Sequence, residues 1–133
     1  MTQYDSFVRD RLPPPDQLPE FLLIDYPERL NAAAELLKNG KPSDLAVANA
    51  QGRWTYADLD SFSGRIARLL VEEQGLIPGN RVLLPGPNGY TLFAAWLGVL
   101  KAGGVAVTTM PLLRPGEIAT VIDTAEIGHA IVD

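Results

Sequence analysis

The sequence predicts an α/β fold: a partial doubly wound parallel sheet with flanking helices, preceded by a small N-terminal hairpin. From residue 54 onward, short apolar runs alternate with longer segments of helical periodicity, in the order strand, helix, strand, helix, strand. The strand centres recur after about two dozen residues, which is the spacing of compact right-handed βαβ units. Glycines and Pro-Gly turns separate the segments. A parallel sheet with helical crossovers accounts for all three observations.

The first 30 residues differ in composition from the rest of the chain. Four prolines occur there: Pro13, Pro14, Pro15 and Pro19. Proline removes a backbone donor, so a regular helix is excluded and extended backbone is favoured. Apolar side chains come next, at Phe21, Leu22, Leu23, Ile24 and Tyr26. We therefore interpret residues 1–30 as a proline-rich arm packed on a domain formed by residues 31–133; a disordered leader is the alternative.

The domain is predicted to begin with a short helix and a hairpin. Asn31 is a favourable N-cap for a helix over residues 32–38, which Gly40 would end. Residues 45–50 alternate as a strand does, Gln51-Gly52 is a turn signal, and residues 53–55 return as a second strand.

An amphipathic helix and a buried strand come after the hairpin. Thr55 and Asp58 have the spacing of a capping box, with Asp in place of the usual Glu. Apolar residues then recur with helical spacing at Leu59, Phe62, Ile66, Leu69 and Leu70. Gly75 would end this helix, and residues 81–84 form a continuous apolar run typical of a buried parallel strand.

The next helix is apolar on nearly every side, so we expect most of its sides to be buried. Asn88 is expected to cap it, and residues 103–104 to end it. Residues 105–109 form the following strand, Pro115 suits the first turn of a last helix, and residues 127–133 contain the last strand. The inner face of that last helix is predicted at Ile118, Val121, Ile122 and Ala125.

Composition excludes several classes of function. The chain has 11 basic and 16 acidic residues, a net charge of −5, which argues against binding a nucleic-acid backbone. The absence of cysteine removes disulfides and thiolate metal sites and fits a cytoplasmic protein. The polar N-terminus is unlike a signal peptide, and the longest apolar stretch, residues 92–100, is too short to span a bilayer. We expect neither nucleic acid nor membrane as a partner.

Residues 86–89 (GPNG) lie between a strand and a helix, where phosphates often bind. They lack the Lys-Ser/Thr of a Walker loop and the glycine spacing of a dinucleotide fingerprint. Pro87 also offers no N–H to an anion. A tight strand-to-helix turn is therefore the favoured interpretation.

The titratable residues give one ligand-contact candidate. His129 is the only histidine and no serine lies in a nucleophile-elbow motif, so a catalytic triad is not expected. The acidic residues are too scattered for a metal site, and Lys101 is expected to solvate the end of its helix. Arg114 is the one basic residue in the loop after a strand end, where open α/β sheets bind ligands. A solvated loop arginine is the alternative.

Four short motifs, in order, resemble those of adenylate-forming enzymes. Residues 54–59 (WTYADL) resemble the motif near the start of that family, and residues 78–82 (PGNRV) its P-G-D-R-V. Pro87-Asn88 is similar to the P-N that comes after the next strand, and residues 100–107 (LKAGGVAV) to the L-K-A-G motif. The resemblance implies the N-terminal subdomain of the acyl-adenylate-forming ligase fold.

Three further segments resemble the aryl-CoA ligase branch, closest to 2-aminobenzoate–CoA and benzoate–CoA ligases: residues 5–14, 27–31 and 106–113. The resemblance implies a parent enzyme that works in two steps. ATP and an aryl carboxylate give an acyl-adenylate and pyrophosphate, and the CoA thiolate then displaces AMP to form a thioester. ATP, Mg²⁺ and CoA are the cofactors that the resemblance implies for the parent.

The catalytic motifs of that family are absent from this sequence. It lacks the Ser/Thr/Gly-rich phosphate loop ending in lysine, the acidic residue that holds the ribose, and the C-terminal lysine. The resemblance therefore implies the N-terminal portion of a larger ligase, inactive alone, with no bound cofactor, no catalytic residue and no metal ligand to assign. In some relatives a basic residue after the A-G-G strand approaches CoA. Here Leu112 occupies the matching stretch and Arg114 lies two positions on, which makes Arg114 the CoA-side candidate.

Two other interpretations stay open. A stand-alone flavodoxin-like or receiver-like module would need an acidic cluster or a Ser/Thr-rich loop at the strand ends, which Leu84, Thr109 and residues 86–89 do not supply. The second open interpretation is a structural protein that pairs through its sheet edge. Uncovered sheet edges and the apolar helix predict a partner, either the remainder of the ligase or a second copy of the chain.

Overall fold

A computed structural model describes residues 3–17 and 27–132. Two 3₁₀ turns, Arg9–Arg11 and Pro15–Gln17, lie in the arm. The helices are α1 (Ala32–Leu37), α2 (Tyr56–Arg68, extended by a π-helical turn at Leu69–Glu73), α3 (Tyr90–Lys101) and α4 (Pro115–Ala125). The strands are β1 (Leu45–Asn49), β2 (Gly52–Thr55), β3 (Arg81–Leu84), β4 (Val105–Thr108) and β5 (His129–Ala130). Pro19 and the apolar segment at residues 21–26 lie outside the described residues.

A three-stranded parallel sheet forms the centre of the fold. Its order is β4-β3-β5, so the chain crosses from β3 to one neighbour and then to the other. Arg81 pairs with Val105 of β4, and Val82 pairs with His129 of β5. All four residues of β3 are buried, as expected for the central strand of a parallel sheet. The predicted α/β class with flanking helices is confirmed.

The hairpin β1–β2 forms a separate antiparallel sheet that is attached through aromatic stacking. The ring of Trp54 lies 4.5 Å from that of Tyr90, with an interplanar angle of 5°. Tyr90 also lies 5.6 Å from the ring of Phe62 on α2, and its hydroxyl donates to the backbone oxygen of Asp58 at 3.0 Å. These contacts hold the hairpin, α2 and the first turn of α3 together.

Two of the three predicted helix caps are confirmed. Asn31 Oδ1 accepts from the backbone N of Ala34 at 3.2 Å, and Thr55 and Asp58 form the reciprocal capping box. The predicted cap at Asn88 is wrong. Extended Gly89 precedes α3, and its carbonyl accepts the first helical hydrogen bond from Phe93, so Asn88 lies one residue too early to cap the helix.

Helices α2 and α3 approach each other closely at Gly98. A Cβ atom added to Gly98 would lie 2.7 Å from Ile66 Cγ2 and 3.1 Å from the backbone oxygen of Ser63. Ser63 is fully buried, and its hydroxyl donates to the carbonyl of Leu59 at 2.6 Å. Only a residue without a side chain fits α3 at this crossing.

Lys101 does not solvate the end of α3 as predicted. Its Nζ lies 2.5 Å from Oδ1 and 2.9 Å from the backbone oxygen of Asp60 on α2. The close approach of the two helices brings the lysine within reach of α2. The carbonyls at the end of α3 are met instead by Asn31 Nδ2, which donates to Leu100 at 3.4 Å and to Lys101 at 3.2 Å.

Arg81, the first residue of β3, joins the arm to the sheet and to α4. Its side chain is only 6% exposed and forms an ion pair with Asp5 of the arm. Its Nε donates to the carbonyl of Ala125 at 2.7 Å and its Nη2 to that of Glu126 at 2.6 Å. Its Nη1 also donates to the carbonyl of Gly79 at 3.1 Å. One buried guanidinium therefore fixes three parts of the chain.

Helix α4 is the least buried of the longer helices. None of its residues is fully buried, and the residues predicted for its inner face are all half-buried: Ile118, Val121, Ile122 and Ala125. The last strand lies within residues 127–133, as predicted, and only His129 and Ala130 pair with β3. The α4–β5 side of the sheet is thus lightly covered.

Replacing Gly98 by Ala is expected to lower the free energy of unfolding by about 2 kcal/mol, because the methyl group overpacks the crossing of α2 and α3. Gly64→Ala is the matched control. A Cβ atom at Gly64 meets nothing closer than Lys101 Nζ at 4.0 Å, so the gain in helix propensity, up to about 1 kcal/mol, is kept. Chemical denaturation of both variants measures the difference. Equal effects of the two substitutions would contradict the tight crossing.

The pKa of Asp5 lies below its usual value of 3.8, because the backbone N–H of Phe7 and the side chains of Arg81 and Asn80 bind its carboxylate. A lowered carboxyl pKa contributes stability above the unfolded pKa and loses it as the pH falls through the folded pKa. Asp5→Asn is therefore expected to destabilise the protein by about 2 kcal/mol at pH 7. The difference in free energy of unfolding between Asp5→Asn and the unsubstituted chain should shrink below about pH 4.

Urea denaturation of the two proteins from pH 7 to pH 2.5 checks this expectation. Asp5 pairs with Arg81 on β3, which also lies 3.9 Å from Glu126 after α4, and Arg11 in the arm stacks on Phe7. The pKa of Asp58 is also lowered, chiefly by the backbone N–H of Thr55, but this contribution is common to both proteins and cancels. A difference that stays constant across this range would refute the role of the Asp5 carboxylate.

Candidate functional site

Two clefts open at the carboxyl end of the sheet. β3 ends at Leu84 and β4 at Thr108, and residues 85–89 lead from β3 into α3. In open α/β sheets this end of the strands is where ligands bind. Residues 86–88, predicted from the sequence as a tight turn or a phosphate loop, line both clefts.

Cleft A lies between the hairpin and the sheet and has a volume of about 390 Å³. The hairpin turn forms one wall, the loop after β3 and the first turn of α3 form another, and the chain after β5 closes it. The lining consists of residues 49–51, 84–92, Ala95 and residues 131–132. The stack of Trp54 on Tyr90 positions the hairpin wall, because Tyr90 itself lines the cleft.

Cleft B lies between α3 and the end of β4 and has a volume of about 680 Å³. Its lining consists of residues 86–88, Leu92, Phe93, Trp96 and residues 108–111. Phe93 is 52% exposed and Met110 69% exposed, so the apolar wall is open to solvent. The hydroxyl of Thr109 is buried without a hydrogen-bond partner among the described residues, which leaves one polar atom of the lining unpaired.

Among the residues that the structure describes, neither lining includes a charged side chain. A triphosphate needs cationic or multiple N–H donors, and Mg²⁺ needs oxygen ligands that include carboxylates. The linings therefore do not fit ATP or Mg²⁺. They suit the uncharged part of a ligand, held by apolar contacts and by exposed neutral groups such as Asn88 and Thr108.

Tyr90 is the titratable residue of cleft A. Its pKa is raised above the usual 10.0 because burial disfavours the phenolate, and the charge of Asp58 adds to this effect while Arg65 opposes it. The phenol is consequently neutral at physiological pH, and its O–H is committed to the backbone oxygen of Asp58. Tyr90 thus stabilises the wall and is not a general base.

The predicted ligand contact, Arg114, does not line either cleft. It is exposed at the start of α4, three residues after Pro111 of cleft B, and its backbone N donates to Glu117 Oε2 at 2.7 Å. His129 lies at the other end of the sheet, where its Nε2 is 3.1 Å from the carbonyl of Gln74. Because the carbonyl accepts, Nε2 carries the proton in that contact.

Sequence reasoning missed most of the cleft walls. The hairpin turn at residues 49–51 carries no ligand-binding signature. Its place beside the cleft depends on tertiary contacts, namely the stack of Trp54 on Tyr90 and the packing of Ala46 and Val47 on the core formed by α1, α2 and α3. The sequence does contain a signal for the wall formed by Phe93 and Trp96. The helix that carries them, α3, is apolar on more faces than a helix covered on one side needs. The sequence therefore predicts that α3 has an additional apolar face, but not that this face lies beside the end of β4.

Among residues 3–17 and 27–132, no three metal-binding side chains lie close enough together to hold a metal ion. No helix in the same residues has the length and apolar character needed to cross a membrane.

Curated and solved proteins resemble this chain over most of its length. The salicyl-AMP ligase / salicyl-S-ArCP synthetase of Mycobacterium tuberculosis is 39% identical over 82 residues, 58% of this chain and 14% of that protein. A benzoate CoA ligase from Burkholderia xenovorans superposes with a TM-score of 0.73 and 28% identity, over 78% of this chain and 22% of that one. Nonribosomal peptide synthetase 30 of Fusarium vanettenii is 37% identical over 67 residues, 50% of this chain and 1% of that protein. The chain therefore spans less than a quarter of the length of these relatives.

The anthranilate CoA ligase AuaEII superposes with a TM-score of 0.74 over 80% of this chain and 21% of that one, at 19% identity, which shows the shared fold alone. The model of the family described as "AMP-binding enzyme" matches residues 35–133. These residues include α2, the whole parallel sheet and both clefts. The chain therefore belongs to the AMP-binding enzyme family of adenylate-forming ligases.

Proposed function

We propose that this chain forms the N-terminal part of a cytoplasmic aryl-acid–CoA ligase, which converts ATP, an aryl carboxylate and CoA to aryl-CoA, AMP and pyrophosphate. The observation that carries the proposal is the likeness to the benzoate CoA ligase, at 28% identity and a TM-score of 0.73. The match to a salicyl-AMP ligase supports an aromatic acid as substrate. 2-Aminobenzoate and benzoate are the proposed acids.

In this proposal the chain supplies scaffold and cleft walls, while other parts of the ligase supply the catalytic groups. The uncharged linings of clefts A and B hold no group that activates a carboxylate or binds pyrophosphate. ATP and Mg²⁺ are therefore assigned to residues outside this chain, and the chain alone is expected to be inactive. CoA is the one cofactor for which this chain offers a contact.

Arg114 is the proposed contact to a phosphate of CoA. It is exposed in the loop that leads away from cleft B, and its guanidinium suits phosphate geometry. The neutral lining of cleft B would lie beside the uncharged part of the cofactor. A guanidinium at an exposed site contributes modestly, so its loss affects affinity for CoA without abolishing it.

The exposed apolar side chains support a protein partner. Phe93 is 52% exposed, Met110 69% and Leu112 90%. Such a patch on a small domain is typically covered by another part of a protein. We assign it to the remainder of the ligase, with a second copy of this chain as the alternative occupant when the chain is alone.

A chimera tests the proposed function. In it, this chain replaces the matching 22% of the Burkholderia xenovorans benzoate CoA ligase. The chimera is expected to form benzoyl-CoA, and Arg114→Gln is expected to raise the KM for CoA about fivefold, the effect of one surface ion pair. The KM values for ATP and benzoate should not change. Arg53→Gln, at an exposed position of the hairpin, is the matched control and should change none of the three.

A chimera that binds ATP but makes no benzoyl-CoA would refute the proposed role of this chain. Equal effects of Arg114→Gln and Arg53→Gln would refute the CoA contact alone. Saturable binding of ATP to the 133-residue chain by itself would instead favour the alternative of a stand-alone nucleotide-binding module. Transfer of the acyl group to a carrier protein in preference to CoA would favour a synthetase of the salicyl-S-ArCP kind.

A further inference from the structure

We propose that residues 5–11, here named the latch, hold the carboxyl end of α4 against the sheet through Arg81, so that attachment of the arm and docking of α4 form one coupled event. The latch lies outside residues 35–133, the part of the chain that the family model matches. The coupling concerns the end of the sheet opposite to the clefts, and it stands whether or not Arg114 contacts CoA.

Asp5 makes the polar part of the latch. Its backbone N donates to the carbonyl of Pro78 at 2.8 Å, and its carboxylate accepts from Asn80 Nδ2 at 2.8 Å and from Arg81 Nη1. Its other carboxylate oxygen accepts from the backbone N of Phe7 at 3.0 Å. The carboxylate is therefore bound by both the arm and the sheet.

Phe7 makes the apolar part of the latch. Two guanidinium groups lie over its ring, with the centroid 4.1 Å from Arg81 Cζ and 3.5 Å from Arg11 Cζ. A cation stacked on an aromatic ring is stabilised by the quadrupole of the ring, more so when one partner is withdrawn from water. Arg11 in turn pairs with Glu126 at 3.0 Å, so the latch also reaches the residue that ends α4.

The carboxyl end of α4 depends on the same guanidinium. Arg81 donates to the carbonyls of Ala125 and Glu126, which have no further turn of helix to bind them. Glu126 adopts left-handed backbone, with φ 47° and ψ 54°, a conformation that is strained for a residue with a side chain. Contacts of Glu126 with Arg81 and Arg11 hold this strained residue in place.

The latch and the carboxyl end of α4 are coupled because the buried charge of Arg81 must be compensated. Apart from Asp5, the one carboxylate within 4 Å of Arg81 in the described part of the chain is that of Glu126, at 3.9 Å from Nη2. An uncompensated buried guanidinium is costly, so Arg81 would turn toward that carboxylate or toward water and release the carbonyls of α4. Helix α4 has no buried residue of its own to keep it docked.

Hydrogen exchange and trypsin cleavage of the full chain test the coupling. In Asp5→Asn, cleavage after Arg9 and Arg11 is expected to accelerate about tenfold, and amides at residues 118–126 to exchange about tenfold faster, because opening of one half releases the other. Asp16→Asn, at an exposed arm position, is the matched control and should behave as the parent chain does.

A variant in α4 distinguishes coupling between the arm and α4 from a simple loosening of the arm. Ala119 is exposed in the middle of α4, and Ala119→Gly weakens that helix without removing a contact. Because coupling is reciprocal, it should accelerate cleavage after Arg9 and Arg11 about threefold. Ala34→Gly, exposed in α1, should not. Faster arm cleavage in Asp5→Asn with unchanged exchange in α4 would overturn the proposal, as would unchanged cleavage in Ala119→Gly.

Discussion

A buried positive charge at the start of the central strand is the constraint on which this fold depends. Arg81 is 5% exposed as a residue and stands where the strand pattern would place an aliphatic side chain. Burying a guanidinium is unfavourable unless its donors and its charge are both met. The chain meets them with one carboxylate from the arm and three backbone carbonyls, which brings together segments far apart in sequence. The side chain of Arg81 consequently holds together the segments that meet at the amino end of the sheet.

A second constraint positions α3, whose first turn lies at the opposite end of the sheet. The contact at Gly98 fixes the distance between α2 and α3, and the ion pair of Lys101 with Asp60 joins the same two helices one turn away. The first turn of α3 is fixed by Tyr90, which stacks on the hairpin and bonds to α2. The positions of both clefts depend on these helix contacts, because both clefts use the first turns of α3 as a wall.

Local features of this fold were predictable from the sequence, and long-range ones were not. The caps at Asn31 and Thr55 and the helical period of α2 depend on residues within a turn of each other. The partners of Arg81 lie 76 residues before it and 44 and 45 residues after it, a distance at which a single sequence carries no pairing signal. The prediction that Asn88 caps α3 was wrong for a related reason. The bend of the chain after β3 decides where α3 begins, and the cap preference of Asn88 does not.

The general location of the clefts follows from the sequence, but their walls do not. A parallel sheet predicts ligand clefts at its carboxyl end, whereas residues 86–89 are interpreted from the sequence as a tight turn and Arg114, the predicted contact, lines neither cleft. The wall provided by the hairpin required tertiary contacts that no motif records. The side chains that line both clefts among the described residues are neutral, which is why the proposed function assigns the charged groups to other parts of the ligase.

The central claim is that Asp5 and Arg81 act as one unit, and a double-mutant cycle measures it most directly. Asp5→Asn, Arg81→Gln and the double variant would be compared with the parent chain by the free energy of unfolding at pH 7. We predict a coupling energy of about 2 kcal/mol, because either single substitution already removes the pair. Additive effects, with a coupling energy near zero, would show that the arm and the sheet are stabilised independently and would contradict this claim.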